Sequence, residues 1–113
     1  MQSFFTEDEM KCPCCGKTIM DVAFIKYLNM ARFLAGFPFV VSSGYRCPDH
    51  NKKVGSTSTN HTSGMAADIR CTDSRERYEM VQAMIGAGMI GLGIGLNYIH
   101  CDINRTTPRI WIY

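Results

Sequence analysis

The sequence has no apolar run long enough to cross a membrane, because its most apolar segments are interrupted by Lys26, Arg32 or glycines. A membrane-spanning helix needs about 18 or more consecutive apolar residues. The N-terminal stretch MQSFFTEDEMKC lacks the apolar core of a secretory signal and carries acidic residues where such a signal has basic ones. We therefore expect a soluble protein that has no membrane partner and is synthesised without Sec-dependent export.

Charged residues are also few. They make up 19% of the 113 residues, and the formal net charge is only +2. Basic and acidic residues are interleaved, so we expect no nucleic-acid partner. The hydrophobic fraction of 46% excludes a disordered chain. The length predicts a single domain over residues 1–113 with one active site.

Two helices are predicted from apolar spacing and capping residues. The first covers residues 21–35, with Asp21 as its N-cap and Gly36 after its end. The second begins after Asp73, which forms a capping-box pattern with Glu76, and ends near the glycines at positions 86 and 88. The positions expected to face the core are Val22, Ile25, Leu28, Ala31 and Leu34 in the first helix and Tyr78, Val81, Met84 and Ile85 in the second.

Strands are predicted on either side of the second helix. FPFVVSS at 37–43 and MAADIRC at 65–71 are short runs without helical spacing. The C-terminal segment 90–113 is predicted to form a hairpin whose turn lies near Asn104 to Pro108. Side chains alternate along a strand. In NYIHCDI this places Tyr98, His100 and Asp102 on one face and Ile99, Cys101 and Ile103 on the other.

Three residues form a candidate metal site. His61 and Asp68 are separated by six residues in a loop that leads into a strand, and His100 lies on the later strand. Two imidazoles and one carboxylate suit a catalytic Zn²⁺, which keeps one position open for water. The residues alone also allow a structural histidine on the strand and an Asp68 that caps a turn.

The motifs SGYR, HN, VG, NHTSGMAADI and YIHCDI, in this order over nearly the whole chain, resemble the zinc peptidases of the M15 family. That family includes D-alanyl-D-alanine carboxypeptidases and bacteriophage peptidoglycan endopeptidases. The resemblance implies an α+β fold shared with hedgehog signalling domains, in which a small antiparallel sheet has helices on one side and a zinc cleft on the other. It also implies that His61, Asp68 and His100 hold Zn²⁺.

The resemblance implies a function as well. We expect hydrolysis of amide bonds in peptidoglycan stem peptides by a monomeric enzyme. The IHCDI ending followed by RIW is similar to the small carboxypeptidase-like and phage branch. A phage or prophage lysis enzyme would be made in the bacterial cytoplasm and would reach the cell wall after release. The alternative is a non-catalytic zinc-containing module that binds the wall or belongs to a virion.

Arg46, in SGYR, corresponds to the family arginine that reaches the substrate or the oxyanion. A guanidinium can bind a carboxylate bidentately or stabilise a developing negative charge. Arg46 is therefore a candidate catalytic and substrate-binding residue, with a surface salt bridge as the alternative. Tyr45 is a candidate substrate-binding residue that could instead pack beneath the loop. His50 and Asn51 are expected to brace the loop through hydrogen bonds.

The residue at the general-base position differs from that of some family members. Some members carry Glu or Asp three residues before the last histidine ligand, where this sequence has Asn97. Asp102 is the nearest carboxylate and matches the His-x-Asp form of the branch. It is our candidate catalytic residue, as a base or as the group that orients His100. The alternative for Asp102 is a simple ion pair with Arg105 or Arg109.

The six cysteines allow several interpretations. Cys12 and Cys15 have C-x2-C spacing, and a structural metal would require Cys47 and Cys71 to complete the ligand set. Alternatively, most cysteines are reduced packing residues, and a disulfide from Cys12 or Cys15 to Cys47 can form after release into an oxidising compartment. A redox or zinc-ribbon protein built on CPCC is the remaining interpretation.

Overall fold

The structure is a computed structural model and describes residues 3–56 and 58–113. Its elements in chain order are α1 (Glu7–Met10), α2 (Val22–Ala35), β1 (Val41–Ser43), α3 (Pro48–Lys53), β2 (Ala66–Arg70), α4 (Ser74–Ala87), β3 (Gly91–Ile94), β4 (Tyr98–Asp102) and β5 (Arg109–Ile112). The α+β class predicted from the sequence is confirmed.

No helix in the described residues has the length and apolar character needed to span a bilayer.

The five strands form one sheet in the order β1-β2-β4-β3-β5. The first three pairings in that order are antiparallel, as expected, but β5 lies parallel to β3. The prediction of a hairpin with its turn at 104–108 is therefore wrong. The hairpin is formed by β3 and β4, and the chain then crosses back to add β5 beside β3.

The core lies between one face of the sheet and the helices α2 and α4. Ala67 and Ile69 of β2 and Ile99 and Cys101 of β4 are fully buried members of this core. Because side chains alternate along a strand, the residues between them project from the opposite face. The face away from the helices therefore carries Asp68, His100 and Asp102, as predicted for β4.

Both predicted helix starts are confirmed by capping contacts. The Asp21 carboxylate accepts a hydrogen bond from the backbone N–H of Phe24, and the Asp73 carboxylate accepts one from Glu76. Gly36 follows α2 in the left-handed region, with φ of 79°, which favours glycine.

The buried faces of the helices agree with the predicted ones only in part. Leu28, Ala31 and Met84 are buried as predicted, and Ile25 and Val81 are partly buried against the core, but Val22, Leu34, Tyr78 and Ile85 are exposed. The helices pack against each other as well as against the sheet, and these two contacts together determine which residues are buried. The buried helical residues are Phe24, Leu28, Asn29 and Ala31 in α2 and Met80, Ala83 and Met84 in α4.

Candidate metal centre and cleft

Two neighbouring strands and one loop bring the three predicted ligands together. Asp68 on β2 and His100 on β4 are register partners in the antiparallel pair. His61 lies in the loop before β2, and its backbone carbonyl accepts hydrogen bonds from Arg46 and Gly64. All three side chains are buried, and one ligand atom from each lies within 4.8 Å of the others.

The protons on the two imidazoles are fixed by their outer partners. His61 Nδ1 lies 2.7 Å from the carbonyl oxygen of Gly44, which can only accept, so Nδ1 carries the hydrogen. His100 Nε2 lies 2.6 Å from Asp102 Oδ2 and likewise donates to it. In the neutral rings, His61 Nε2 and His100 Nδ1 are therefore lone-pair donors for a metal.

These two free nitrogens both face the same carboxylate oxygen. His61 Nε2 lies 3.3 Å and His100 Nδ1 lies 3.0 Å from Asp68 Oδ1. Lone pairs that converge in this way repel one another unless a metal ion or a proton lies among them. For zinc bonds of about 2.0 to 2.2 Å to nitrogen and oxygen, ligand atoms at tetrahedral positions are about 3.3 Å apart. Both distances to Asp68 Oδ1 are therefore close to those expected around Zn²⁺.

The neighbouring histidines keep the carboxylate of Asp68 ionised. Burial alone would raise the pKa of Asp68, but the hydrogen bonds and charges of His100 and His61 outweigh it and lower the pKa well below its ordinary value. Burial would lower the pKa of His100, but Asp102 and Asp68 raise it. Without a metal, the proton is therefore held by the imidazole rather than by Asp68.

Asp102 lies behind His100. It is completely buried (0% exposed), and its Oδ2 also accepts hydrogen bonds from Asn60 Nδ2 at 3.3 Å and Arg105 Nε at 3.2 Å. The predicted contact with Arg105 is thus present, in addition to the shorter one with His100. A carboxylate in this position fixes the ring orientation and the tautomer of a metal-ligating histidine.

Of the two predicted substrate-binding residues, Arg46 lines the cleft and Tyr45 does not. Arg46 lines the cleft, where its Nε donates to Ser43 Oγ at 3.2 Å and its Nη2 lies 3.5 Å from Asp68 Oδ2. Tyr45 is buried and does not line the cleft. Asn51 braces the loop as expected, because its Nδ2 donates to the carbonyl of Ser58 at 2.8 Å.

The candidate metal site opens into a cleft of about 510 Å³. Its lining consists of Arg46, Val54, Gly55, Ser56, Ser58, Asn60, His61, Asp68, Tyr98, His100, Arg105, Trp111 and Tyr113. Burial, followed by the charge of Asp68, raises the pKa of Tyr98. Its phenol is therefore a neutral hydrogen-bond donor at physiological pH.

Sequence reasoning missed the wall of this cleft, which is formed by Arg105, Trp111 and Tyr113. The guanidinium of Arg105 lies 4.5 Å from the centre of the Trp111 ring. Two glycines of β3 make room for these groups. A Cβ at Gly93 would come within 2.6 Å of Trp111, and one at Gly91 within 2.5 Å of Arg105. The alternating glycines in GLGIG are the signal that could have indicated this close approach.

Asn97 lies in the turn between β3 and β4, where it is exposed. It is not part of the cleft lining. Among the described residues that line the cleft, Asp68 is the only carboxylate. The cleft therefore has no separate acidic side chain in the described part of the chain.

The comparisons with known proteins agree with this geometry. The sequence model of the family described as Peptidase M15 matches residues 3–102, which include His61, Asp68, His100 and Asp102. The match ends before β5. No curated protein matches the sequence. Since the match covers most of the chain, the chain belongs to the peptidase M15 family.

Proposed function

We propose that the protein is a zinc metallopeptidase that hydrolyses amide bonds in peptidoglycan stem peptides. The observation that carries this proposal is the convergence of His61 Nε2, His100 Nδ1 and Asp68 Oδ1 at the floor of a cleft. M15 peptidases depend on zinc, and the spacing of these atoms fits that ion. A bound Zn²⁺ would supply Lewis-acid chemistry: it would polarise a peptide carbonyl and lower the pKa of water to about 7.

The residues of the chain would position the substrate and the ligands. His61 is held by the Gly44 carbonyl and His100 by Asp102, so neither ring has to reorient during the reaction. Arg46, close to Asp68, would stabilise the negative charge that develops on the carbonyl oxygen. Asp102 is buried behind His100, which supports a positioning role over that of a base.

A stem peptide suits the chemistry of the cleft. Such peptides carry carboxylates, and the cleft offers the guanidinium group of Arg105 in addition to Arg46 at the candidate metal site. Trp111 and Tyr113 provide an apolar wall that would exclude water from the bond being cut. The cleft chemistry serves either a D-alanyl-D-alanine carboxypeptidase or an endopeptidase. We place the enzyme in phage or prophage lysis, as a monomeric single domain that reaches the wall after release from the cytoplasm.

Digestion of purified muropeptides tests the substrate class. We expect the zinc-loaded protein to convert them into fragments whose masses identify the bond that was cut, as measured by mass spectrometry. Loss of one terminal alanine would identify a carboxypeptidase, and separation of cross-linked dimers an endopeptidase. The same incubation with a casein-derived peptide mixture is the control. If the casein peptides were cleaved while the muropeptides stayed intact, the proposed substrate would be contradicted.

Asp102→Asn tests the positioning role. We expect it to weaken zinc binding about 10- to 100-fold, because a neutral amide holds the His100 N–H less strongly than a carboxylate does. Competition with a chromophoric chelator measures the affinity. Glu79→Gln, an exposed carboxylate on α4, is the matched control and should bind zinc as wild type does. An unchanged affinity in Asp102→Asn would assign Asp102 another role.

A second candidate function is a non-catalytic module that binds stem peptides through the zinc pocket. It is favoured by Asn97 and by the lack of a separate carboxylate among the described lining residues. The two functions differ in outcome: a peptidase releases new amino groups from cell walls, whereas the module sediments with the walls and releases none.

A further inference from the structure

A second cluster of metal-binding side chains lies outside the cleft. The sulfur atoms of Cys12, Cys14, Cys15 and Cys47 all lie within 4.8 Å of one another. Cys14 Sγ is 3.7 Å from Cys12 Sγ and 3.2 Å from Cys47 Sγ. All six cysteines are free in this structure. The suggestion that Cys71 completes a metal site is wrong, because Cys71 is buried in the core and Cys14 occupies the fourth position.

The spacing of these sulfurs fits a metal. With zinc–sulfur bonds of about 2.3 Å, sulfurs at the corners of a tetrahedron are about 3.8 Å apart. A disulfide would use only two of the four thiols. Three of them lie in the short stretch Cys12–Cys15, so a disulfide from one of these to Cys47 would leave the other two thiols without a partner. One tetrahedral ion accounts for all four.

The backbone around the cluster is organised as a turn that presents the sulfurs. The N–H of Cys12 donates to the Lys17 carbonyl at 2.7 Å, and that of Gly16 donates to the Cys12 carbonyl at 2.8 Å. Gly16 has φ of 72°, which favours glycine. A residue with a Cβ would strain this turn.

Backbone N–H groups also point at two of the sulfurs. The N–H of Cys47 lies 3.4 Å from Cys12 Sγ, and that of His50 lies 3.4 Å from Cys47 Sγ. Such contacts favour the thiolate, which is the form that binds metal. Cys12 is fully buried, so its sulfur has no contact with solvent that could replace them.

We propose that Cys12, Cys14, Cys15 and Cys47 form a structural tetrathiolate Zn²⁺ site, separate from the site in the cleft. Four soft thiolates fill a tetrahedral shell and leave no open position, as in structural rather than catalytic zinc sites. The ligand set contrasts with the two nitrogens and one oxygen of the cleft.

The site would tie the N-terminal arm to the loop that builds the cleft. Cys47 follows Arg46 directly, and the arm already contacts this loop through the N–H of Tyr45, which donates to the Met10 carbonyl at 2.8 Å. The same loop supplies the Gly44 carbonyl that accepts from His61. A metal that holds Cys47 would therefore restrain both the guanidinium of Arg46 and the ring of His61. Small domains commonly gain such rigidity from a structural metal.

Metal counting on variants of the full chain tests the site. We expect about two zinc ions per wild-type chain purified under reducing conditions, and about one in both C14S/C15S and His61→Ala. Cys14 and Cys15 are exposed, so their replacement leaves the core intact. Cys71→Ser, at a buried cysteine outside the cluster, should keep about two.

Cobalt substitution separates this inference from the function of the cleft. Wild type and His61→Ala should both show the intense thiolate-to-cobalt charge-transfer absorption, and C14S/C15S should lose it. That pattern supports the site even if the cleft binds no metal. The proposal is overturned if wild type lacks the absorption, if iron is bound instead of zinc, or if thiol titration finds Cys47 in a disulfide.

Discussion

Replacement of His61 by alanine is expected to remove zinc from the cleft and to lower kcat/KM by at least about a thousandfold. The metal supplies several kcal/mol of transition-state stabilisation, and each 1.36 kcal/mol corresponds to about tenfold in rate. His61 contributes one of the three candidate ligand atoms found in the cleft among the described residues. Its loss leaves two ligands, one of them a carboxylate, which cannot hold the ion in a defined geometry.

The measurement combines zinc content with the rate of amine release from muropeptides. His50→Ala is the matched control, because His50 is the remaining histidine of the chain and lies outside the metal cluster. Its Nδ1 has no hydrogen-bond partner among the described residues, so the expected bracing by this ring nitrogen is not found. It should keep wild-type zinc content and activity. Thermal unfolding of both variants separates loss of metal from loss of fold. A His61→Ala protein that is folded and still cleaves muropeptides would contradict the proposed centre.

The part of the site carried by β4 could be predicted because it follows from backbone geometry. Alternation along a strand places His100 and Asp102 on one face and Cys101 on the other, whatever the neighbouring strands are. The pairing of Asp68 with His100 is a different matter, because it depends on the register between β2 and β4, which no local pattern determines. The residue types suggested a shared metal site as one of several alternatives, and the resemblance to M15 peptidases selected it.

The helical faces could not be predicted from spacing alone. Phe24, Leu28 and Ala31 have helical spacing, and so do Val22, Ile25 and Leu28. The helix carries more apolar residues than one face accommodates. Packing of α2 against α4 and the sheet determines which of these residues are buried. These contacts are distant in sequence.

The C-terminal strand was placed wrongly for a related reason. A turn-rich segment between two apolar runs indicates a hairpin, but it does not say on which side of the sheet the second run pairs. The room left by small residues on β3 explains why β5 pairs with that strand. Gly91 and Gly93 present no side chains, so Arg105 and Trp111 can cover this part of the sheet. Trp111 then lies 5.4 Å from His100 between ring centres, beside the metal centre.

Arg46→Gln is expected to lower kcat about 100- to 1,000-fold, the range found when one oxyanion-stabilising donor is removed. The reason is position: Arg46 Nη2 lies 3.5 Å from Asp68 Oδ2, so the guanidinium is next to the atoms that would hold the metal. Zinc content should stay the same, because Arg46 is not a ligand. Arg70→Gln, an exposed arginine on the same strand as Asp68, is the matched control and should not change the rate.

The division of the effect between kcat and KM distinguishes the two roles of this arginine. If Arg46 stabilises charge that develops on the carbonyl oxygen, kcat falls while KM changes little. If it binds a carboxylate already present in the substrate, KM rises and kcat is kept. We expect the first pattern, measured on one muropeptide at saturating and limiting concentrations. An Arg46→Gln enzyme with wild-type kcat and raised KM would assign carboxylate recognition to Arg46, and would favour a carboxypeptidase over an endopeptidase.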